Sequence, residues 1–277
     1  MKKILFPTDF STVATNAFIH ALEFAKIVHA EIVLLHTFEI PMYDTQFFPA
    51  NYAILYDSLA LSQFDAFKEQ VPMLRELAEG RNLQNIKLSH RLTEGDLLSN
   101  IVAIIQEEHI DFIIMGTAGA SGWDAFFMGT HTANSISATN VPLLCVPEQA
   151  IFKPISVIGF TTRFRTKDKK ALKKVLNIAR KTNAIVKCLY VKTSNSDVTK
   201  ETIAAWEEEF SADPVQFHVI HSDEVATSIE DFIQYKEIDV LTMLPYKRSF
   251  FEGIFNPSLT KKMARNLEIP ILAIPVE

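Results

Sequence analysis

Short apolar runs alternate along the chain with longer stretches of helical spacing. From Ser11 to Ala30 the apolar residues recur three and four positions apart, which is typical of a helix with one buried face, and Ser11 is a candidate N-cap. Strands are predicted in "KKILFPT", "EIVLLHTF", "IKLSHRL", "DFIIMG" and "PLLCV", and further helices over Ser62–Glu79, Asp96–His109 and Thr130–Ala138. Strands that alternate with helices predict a parallel sheet covered on both faces.

The second part of the chain repeats the first. Residues 90–116 align without a gap with residues 218–244, and the offset of 128 persists from "NVPLLCVP" to "EIPILAIP". Upstream, "FAKIVHAEIVLLH" parallels "IARKTNAIVKCLY" at an offset of 154, and alignment of the first strands puts Thr161 opposite Asp9. We therefore predict an α/β protein of two tandem domains, residues 1–147 and 152–277, each a five-stranded parallel-sheet sandwich with helices on both faces.

Composition and charge narrow the possible partners. The chain of 277 residues has a net charge of −6, divided into −8 over residues 1–147 and +2 over the rest, which argues against nucleic acid. No apolar run approaches the roughly 18 to 20 residues of a membrane span, and "MKKILFPTDFS" lacks the apolar core of a secretory signal. We expect a cytoplasmic protein without a membrane partner. Cys145 and Cys188 lie in apolar runs and are expected to be buried, reduced thiols.

Glycine is concentrated in one stretch that directly follows the fourth predicted strand. The chain has eight glycines, and four of them lie within "GTAGASGWDAFFMGTHT", which starts at Gly116. In parallel sheets ligands bind beyond the carboxyl ends of the strands. Glycines there let the backbone approach a ligand, and the N-terminus of the helix predicted from Thr130 favours an anion. The stretch is suited to bind phosphate.

The spacing of Gly116, Gly119, Gly129 and Thr130 fits the pattern G-x2-G-x9-G-[S/T] and resembles the ATP-binding signature of the universal stress protein family. "ILFPTDFS", "LLHTF" and "NVPLLCVP" also resemble the first, second and closing strands of that family. The resemblance implies a Rossmann-like fold of the adenine nucleotide alpha hydrolase type and a role as a nucleotide-dependent stress-response module. It implies nucleotide contacts from Pro7, Asp9, Thr37, Met115, Gly116, Gly119, Gly129, Thr130, His131 and Thr132.

The implied cofactor is ATP, with ADP or AMP as alternatives. No Lys or Arg lies between Gly116 and Thr132, so a triphosphate would rely on backbone N–H groups, hydroxyls and a divalent ion such as Mg²⁺. His131 could add positive charge when it is protonated. The same resemblance implies that the closing strands, Val141–Val146 and Ile269–Ile274, pair within the chain, while a homodimer remains an alternative.

The second copy lacks the glycine motif. Leu244, Lys247 and Pro257 stand opposite the three motif glycines, so we predict that no nucleotide binds there. This loss indicates that the glycines of the first copy serve a ligand rather than the fold. The aromatic-rich segment Glu39–Gln63 is present in the first copy only, and is either a packed extension, a lid or an arm that docks an unknown protein partner.

The sequence contains no combination of residues that is typical of a catalytic site. The chain has no G-x4-G-K-[ST] and no G-x-S-x-G element, so we predict at most slow ATP hydrolysis and assign neither catalytic nor metal-binding residues. The remaining hypotheses are a nucleotide-binding regulatory module, a slow ATPase that uses the same site, and a nucleotide-free scaffold.

Overall fold

The computed structural model describes residues 1–39, 52–117, 141–244 and 268–275. In the first half the strands are β1 (Lys2–Pro7), β2 (Ala30–Phe38), β3 (Leu88–Glu94), β4 (Phe112–Thr117) and β5 (Leu143–Pro147), and the helices are α1 (Thr12–Val28), α2 (Tyr52–Gly80) and α3 (Leu97–Glu108). In the second half they are β6 (Val157–Thr161), β7 (Ile185–Lys192), β8 (Val215–His221), β9 (Val240–Met243) and β10 (Ile271–Ala273), with α4 (Thr166–Thr182), α5 (Lys200–Glu209) and α6 (Val225–Tyr235).

The ten strands form one sheet in the order β3-β2-β1-β4-β5-β10-β9-β6-β7-β8. Among the described strands pairing is parallel within each half, and the one antiparallel pair is β5 with β10, where Leu144 lies opposite Leu272. The α/β fold and the predicted pairing of the two closing strands within the chain are confirmed. We call this antiparallel pair the seam. It gives each closing strand a partner that an isolated half would lack.

The central strands of the sheet are buried on both faces because they are apolar at nearly every position, whereas the edge strands β3 and β8 carry polar residues and have no fully buried side chain. Ile4 and Phe6 of β1 pack with Phe18 and Leu22 of α1, whereas Leu5 points to the opposite face. On each face the cluster of buried residues extends from the first half into the second. Near-continuous apolar runs are expected where helices cover both sides of a parallel sheet.

Helix ends follow local capping. The hydroxyl of Ser11 accepts the backbone N–H of Ala14, as predicted, and Asp96 caps α3 through the N–H of Ser99. Helix α2 begins at Tyr52, ten residues before the predicted start. The hydrophobic pattern did not indicate this earlier start, because residues 57–66 have no buried side chain and so carry no amphipathic signal. The helix predicted over 130–138 lies outside the described residues.

Candidate functional site

The candidate site lies at the carboxyl edge of the first half. Strand β1 lies between β2 and β4. From β1 the chain adds β2 and β3 on one side and then β4 and β5 on the other, so the strand order reverses at β1 and β4. Open α/β sheets bind their ligands at such a switch point. Pro7 ends β1, Thr37 lies near the end of β2, and Met115 and Gly116 lie near the end of β4. The fold brings these four residues and Asp9 to one edge.

A tight turn presents Asp9 at this edge. The N–H of Thr8 donates to the carbonyl of Leu35 at 2.8 Å, and the N–H of Phe10 donates to Thr8 Oγ1 at 3.0 Å. Phe10 takes a left-handed conformation with φ 59°. The carboxylate of Asp9 is exposed and accepts the N–H of Ser11 at 2.9 Å, directly before α1 begins. This hydrogen bond holds the acid in place beside the N-cap of α1.

Gly116 is required by packing. A Cβ at this position would lie 2.9 Å from the carbonyl oxygen of Val13 in the first turn of α1, closer than real Cβ contacts come. The expectation that the glycines of the first copy do not serve the fold is therefore wrong for Gly116. This glycine lets the start of α1 approach β4 beside Asp9.

The buried hydroxyl group of Thr117 is consistent with a polar ligand or a polar loop at this edge. Its side chain is 2% exposed, and Oγ1 has no hydrogen-bond partner among the described residues. A buried hydroxyl without a partner is costly, so a polar group is expected to reach it. Gly119, Gly129, Thr130, His131 and Thr132, the remaining predicted contacts, lie outside the described residues.

An aromatic cluster, which sequence reasoning did not connect to the site, supports the turn. The Phe10 ring lies 5.2 Å from the ring of His36 and 5.8 Å from that of Phe67 of α2. Nδ1 of His36 bonds the carbonyl oxygen of Thr8 at 2.7 Å. His90 packs edge-on against Phe67, and burial lowers its pKa. These residues hold the loop that carries Asp9.

The equivalent edge of the second half differs in charge. Ile4 pairs with Ile32 in the first half, and Ile158 pairs with Val186 in the second, so equivalent positions are 154 residues apart. Arg163 is therefore the equivalent of Asp9. The sequence alignment that put Thr161 opposite Asp9 is wrong. The turn itself is repeated, because the Phe164 N–H donates to Thr162 Oγ1 at 2.9 Å and Phe164 has φ 56°. A cation thus replaces the acid.

Two further changes separate the second edge from the first. Leu244 stands where the first half has Gly116 and is 1% exposed, so α4 cannot approach the sheet there as α1 does. Asp168, which is fully buried, accepts the hydroxyl of Thr162 at 2.9 Å and the N–H groups of Arg163 and Arg165 at 2.8 and 3.2 Å. Burial raises the pKa of the Asp168 carboxyl.

Other candidate chemistry is limited. Cys145 and Cys188 are buried free thiols, as predicted, and burial raises the pKa of both. In the described ranges no three His, Cys, Asp or Glu side chains gather in a way that could hold a metal ion. None of the helices over those same residues is long and apolar enough to cross a membrane.

The fold and its switch-point edge define a Rossmann-like α/β protein with two consecutive parallel units. The chain belongs to the universal stress protein family, whose model matches residues 1–147. Universal stress protein MJ0577 of Methanocaldococcus jannaschii is 30% identical over 155 residues, which cover 52% of this chain and 94% of that protein. Universal stress protein MJ0531 of the same organism is 26% identical over 145 residues, which cover 52% and 81%.

The solved structures extend the similarity in fold to both halves. A universal stress protein from Archaeoglobus fulgidus aligns with a TM-score of 0.72 at 17% identity, covering 98% of this chain and 97% of that one. A putative universal stress protein from Pseudomonas aeruginosa aligns with a TM-score of 0.62 at 14% identity, covering 100% and 94%. At these identities the similarity concerns the fold alone.

Proposed function

We propose that this universal stress protein binds an adenine nucleotide, ATP in the first instance, at the carboxyl edge of its first half and none at the second. The observation that carries the proposal is the convergence of Pro7, Asp9, Met115 and Gly116 on the β1–β4 switch point. The exposed carboxylate of Asp9 can accept hydrogen bonds from sugar hydroxyls or hold a divalent ion.

Base, sugar and phosphates would bind successive parts of this edge. The backbone of Thr37 and the side chain of Met115 would contact the base or sugar. Gly119, Gly129, Thr130, His131 and Thr132 would contact the phosphates, with Mg²⁺ supplying the positive charge that this stretch lacks. When bound, the metal would neutralise phosphate charge.

We further propose that occupancy of the site regulates partner binding. Residues 1–147 would be the nucleotide-binding domain and residues 152–277 a structural or regulatory domain joined to it through the seam. Helix α2 contains the last residues of the aromatic-rich segment, and its exposed Leu61 and Phe64 suit contact with a protein partner. The stress response and the cytoplasm, as the place of action, belong to the same proposal.

The test is to denature the purified full chain and resolve the released nucleotides by chromatography. We expect ATP, stoichiometric with the chain, and its loss in the double variant Gly129→Leu, Thr130→Ala. Ser258→Ala is the matched control, because the sequence repeat puts Ser258 opposite Thr130. This control should retain the nucleotide.

Other outcomes would assign a different function. ADP or AMP in place of ATP, with multiple-turnover hydrolysis that Asp9→Ala abolishes, would indicate a slow ATPase. Equal nucleotide content in the double variant would contradict the assigned site. Absence of nucleotide, together with no binding on titration with millimolar ATP, would favour the nucleotide-free scaffold.

A further inference from the structure

A cleft of about 310 Å³ opens at the carboxyl edge of the second half. It lies between the ends of β6 and β7 and the first turns of α6, with Thr161, Val191 and Val225 among its lining residues. This is the edge at which parallel α/β sheets bind ligands. The volume is near the lower end of the range of small-molecule pockets, roughly 300–1,000 Å³.

The floor of the cleft is apolar and rigid. Leu189 and Ile229 are each 1% exposed, and Tyr190 is 4% exposed and packs edge-on against Phe164 at 5.3 Å. Val191 and Val225 complete the floor and pack against the core cluster that contains Leu189 and Ile229. Such a floor favours the compact apolar body of a ligand, because burying it removes apolar surface from water.

One wall of the cleft is the loop of residues 193–198, which hydrogen bonds hold in place. Ser196 Oγ accepts the N–H of Thr193 at 2.8 Å, and Asp223 accepts the N–H of Ser194 at 2.8 Å. The wall carries Asp197, whose Oδ1 and Oδ2 accept hydrogen bonds from Nη2 of Arg165 at 2.6 and 2.8 Å. The cleft therefore does not have to be assembled by its ligand.

The charged residues that line the cleft are Arg163, Arg165 and Asp197, and the buried carboxylate of Asp168 lies against the backbone N–H groups of the two arginines. The side chains of Arg165 and Asp197 are 50% and 65% exposed, and ion pairs exposed to water contribute little stability. Both described hydrogen bonds between Arg165 and Asp197 come from Nη2 of the arginine. The other N–H groups of the Arg165 guanidinium can bind an anion, which would lie beside Asp197 or replace it. A guanidinium suits carboxylate or phosphate oxygens.

We propose that this cleft is a second binding site, separate from the nucleotide site, for a small organic anion. The apolar body of the ligand would rest on Leu189, Val191 and Ile229, and its single carboxylate or phosphate group would bind Arg165. The proposal goes beyond the nucleotide function and does not depend on it. Arg163 in place of Asp9 and Leu244 in place of Gly116 make this edge unlike the first.

The test uses the full chain with benzoate and phenyl phosphate as probes and benzyl alcohol as the neutral analogue, by saturation-transfer NMR and calorimetry. We expect at least one of the two anions to bind, and the neutral analogue at least tenfold more weakly. Arg165→Gln should weaken anion binding at least fivefold, and Asp197→Asn should strengthen it. Comparison of the two anions identifies the preferred group.

Matched variants separate the cleft from general surface charge. Arg180 forms an exposed ion pair with Asp213 on another surface, so Arg180→Gln should leave probe binding unchanged. Val225→Trp should block binding by filling the cleft. Each titration is repeated in excess ATP, which should not alter the affinity, so the result stands whether or not the first half binds nucleotide.

Several results would overturn the proposal. They are no binding of either anion, equal binding of benzyl alcohol, and binding that survives both Arg165→Gln and Val225→Trp. Displacement of the probe by ATP would also overturn it, since the probe would then occupy a nucleotide site. Circular dichroism of each variant confirms that it is folded, which is expected because Arg165 and Asp197 are exposed.

Discussion

At the scale of single residues, the two halves carry side chains of opposite charge or of very different size at equivalent positions. Asp9 is exposed at the end of β1, and Arg163 takes its place in the second half. Gly116 allows the first turn of α1 to approach β4, and the buried Leu244 keeps α4 away from the corresponding position. These exchanges explain why one fold can offer two edges of different chemistry.

Gly116→Ala should destabilise the protein by about 1–3 kcal/mol, because its Cβ would press on the backbone of Val13 and overpacking costs this much. Gly80→Ala is the matched control, since a Cβ there meets nothing within 4 Å. Urea unfolding of both variants measures the difference. A variant at 116 that is as stable as the one at 80 would contradict the packing role.

At the scale of elements, helix α1 joins the first half to the segment that leads into β6. His20 of α1 is 7% exposed, and its Nε2 bonds the carbonyl of Ala150 at 3.0 Å, where Asn16 donates as well at 2.9 Å. The His20 ring also packs edge-on against Phe152 at 5.3 Å. Burial lowers the pKa of His20, so protonation of the imidazole is less favourable in the folded protein than in the unfolded chain.

Replacing His20 with Phe should therefore alter the pH dependence of stability. The unfolded chain takes up a proton at His20 as pH falls below about 6.5, whereas the folded chain resists it, so the wild type loses stability with falling pH. Near pH 8 the variant should be less stable by about 1 kcal/mol through the lost hydrogen bond. Towards pH 5 this deficit should shrink.

Urea unfolding at several pH values, with His29→Asn beside it, checks this expectation. His29 is exposed at the end of α1 in a left-handed conformation that Asn tolerates, so its replacement should not change the pH profile in the same way. A constant difference between wild type and His20→Phe from pH 5 to pH 8 would contradict the assigned role of burial.

At the scale of the whole molecule, the seam joins ten strands into one sheet, and buried apolar clusters continue across it. Leu144 and Leu272 pair at the seam and are 7% and 5% exposed. The halves should therefore unfold together rather than as separate units. A partner or ligand on one half could then influence the stability of the other.

Leu272→Ala should lower the free energy of unfolding by about 2–5 kcal/mol, the usual cost of truncating a buried leucine. Hydrogen exchange should report the same loss of protection in β1 and in β7, because the two halves share their cores. Ile151→Ala, at a residue 85% exposed, is the control. Loss of protection in β7 alone would show that the halves unfold independently.

Local features were within reach of the sequence. The caps at Ser11 and Asp96 were predictable because each depends on side-chain groups within three residues of the helix start. The alternation of strands and helices was predictable because a sheet buried on both faces needs short, nearly continuous apolar runs. The same runs identified the closing strands, and their pairing followed from the family resemblance.

Only the tertiary structure decided which residues of the two halves occupy equivalent positions. Placing Thr161 opposite Asp9 is a slip of two residues from Arg163, and a slip of two leaves every strand side chain on its original face, so the hydrophobic pattern cannot detect it. The packing role of Gly116 likewise depends on Val13, a neighbour distant in sequence. The early start of α2 was missed for a different reason, because residues 57–66 have no buried side chain and give no amphipathic pattern. The sequence determined the elements and the candidate edge, whereas registers and close approaches decided its charge and shape.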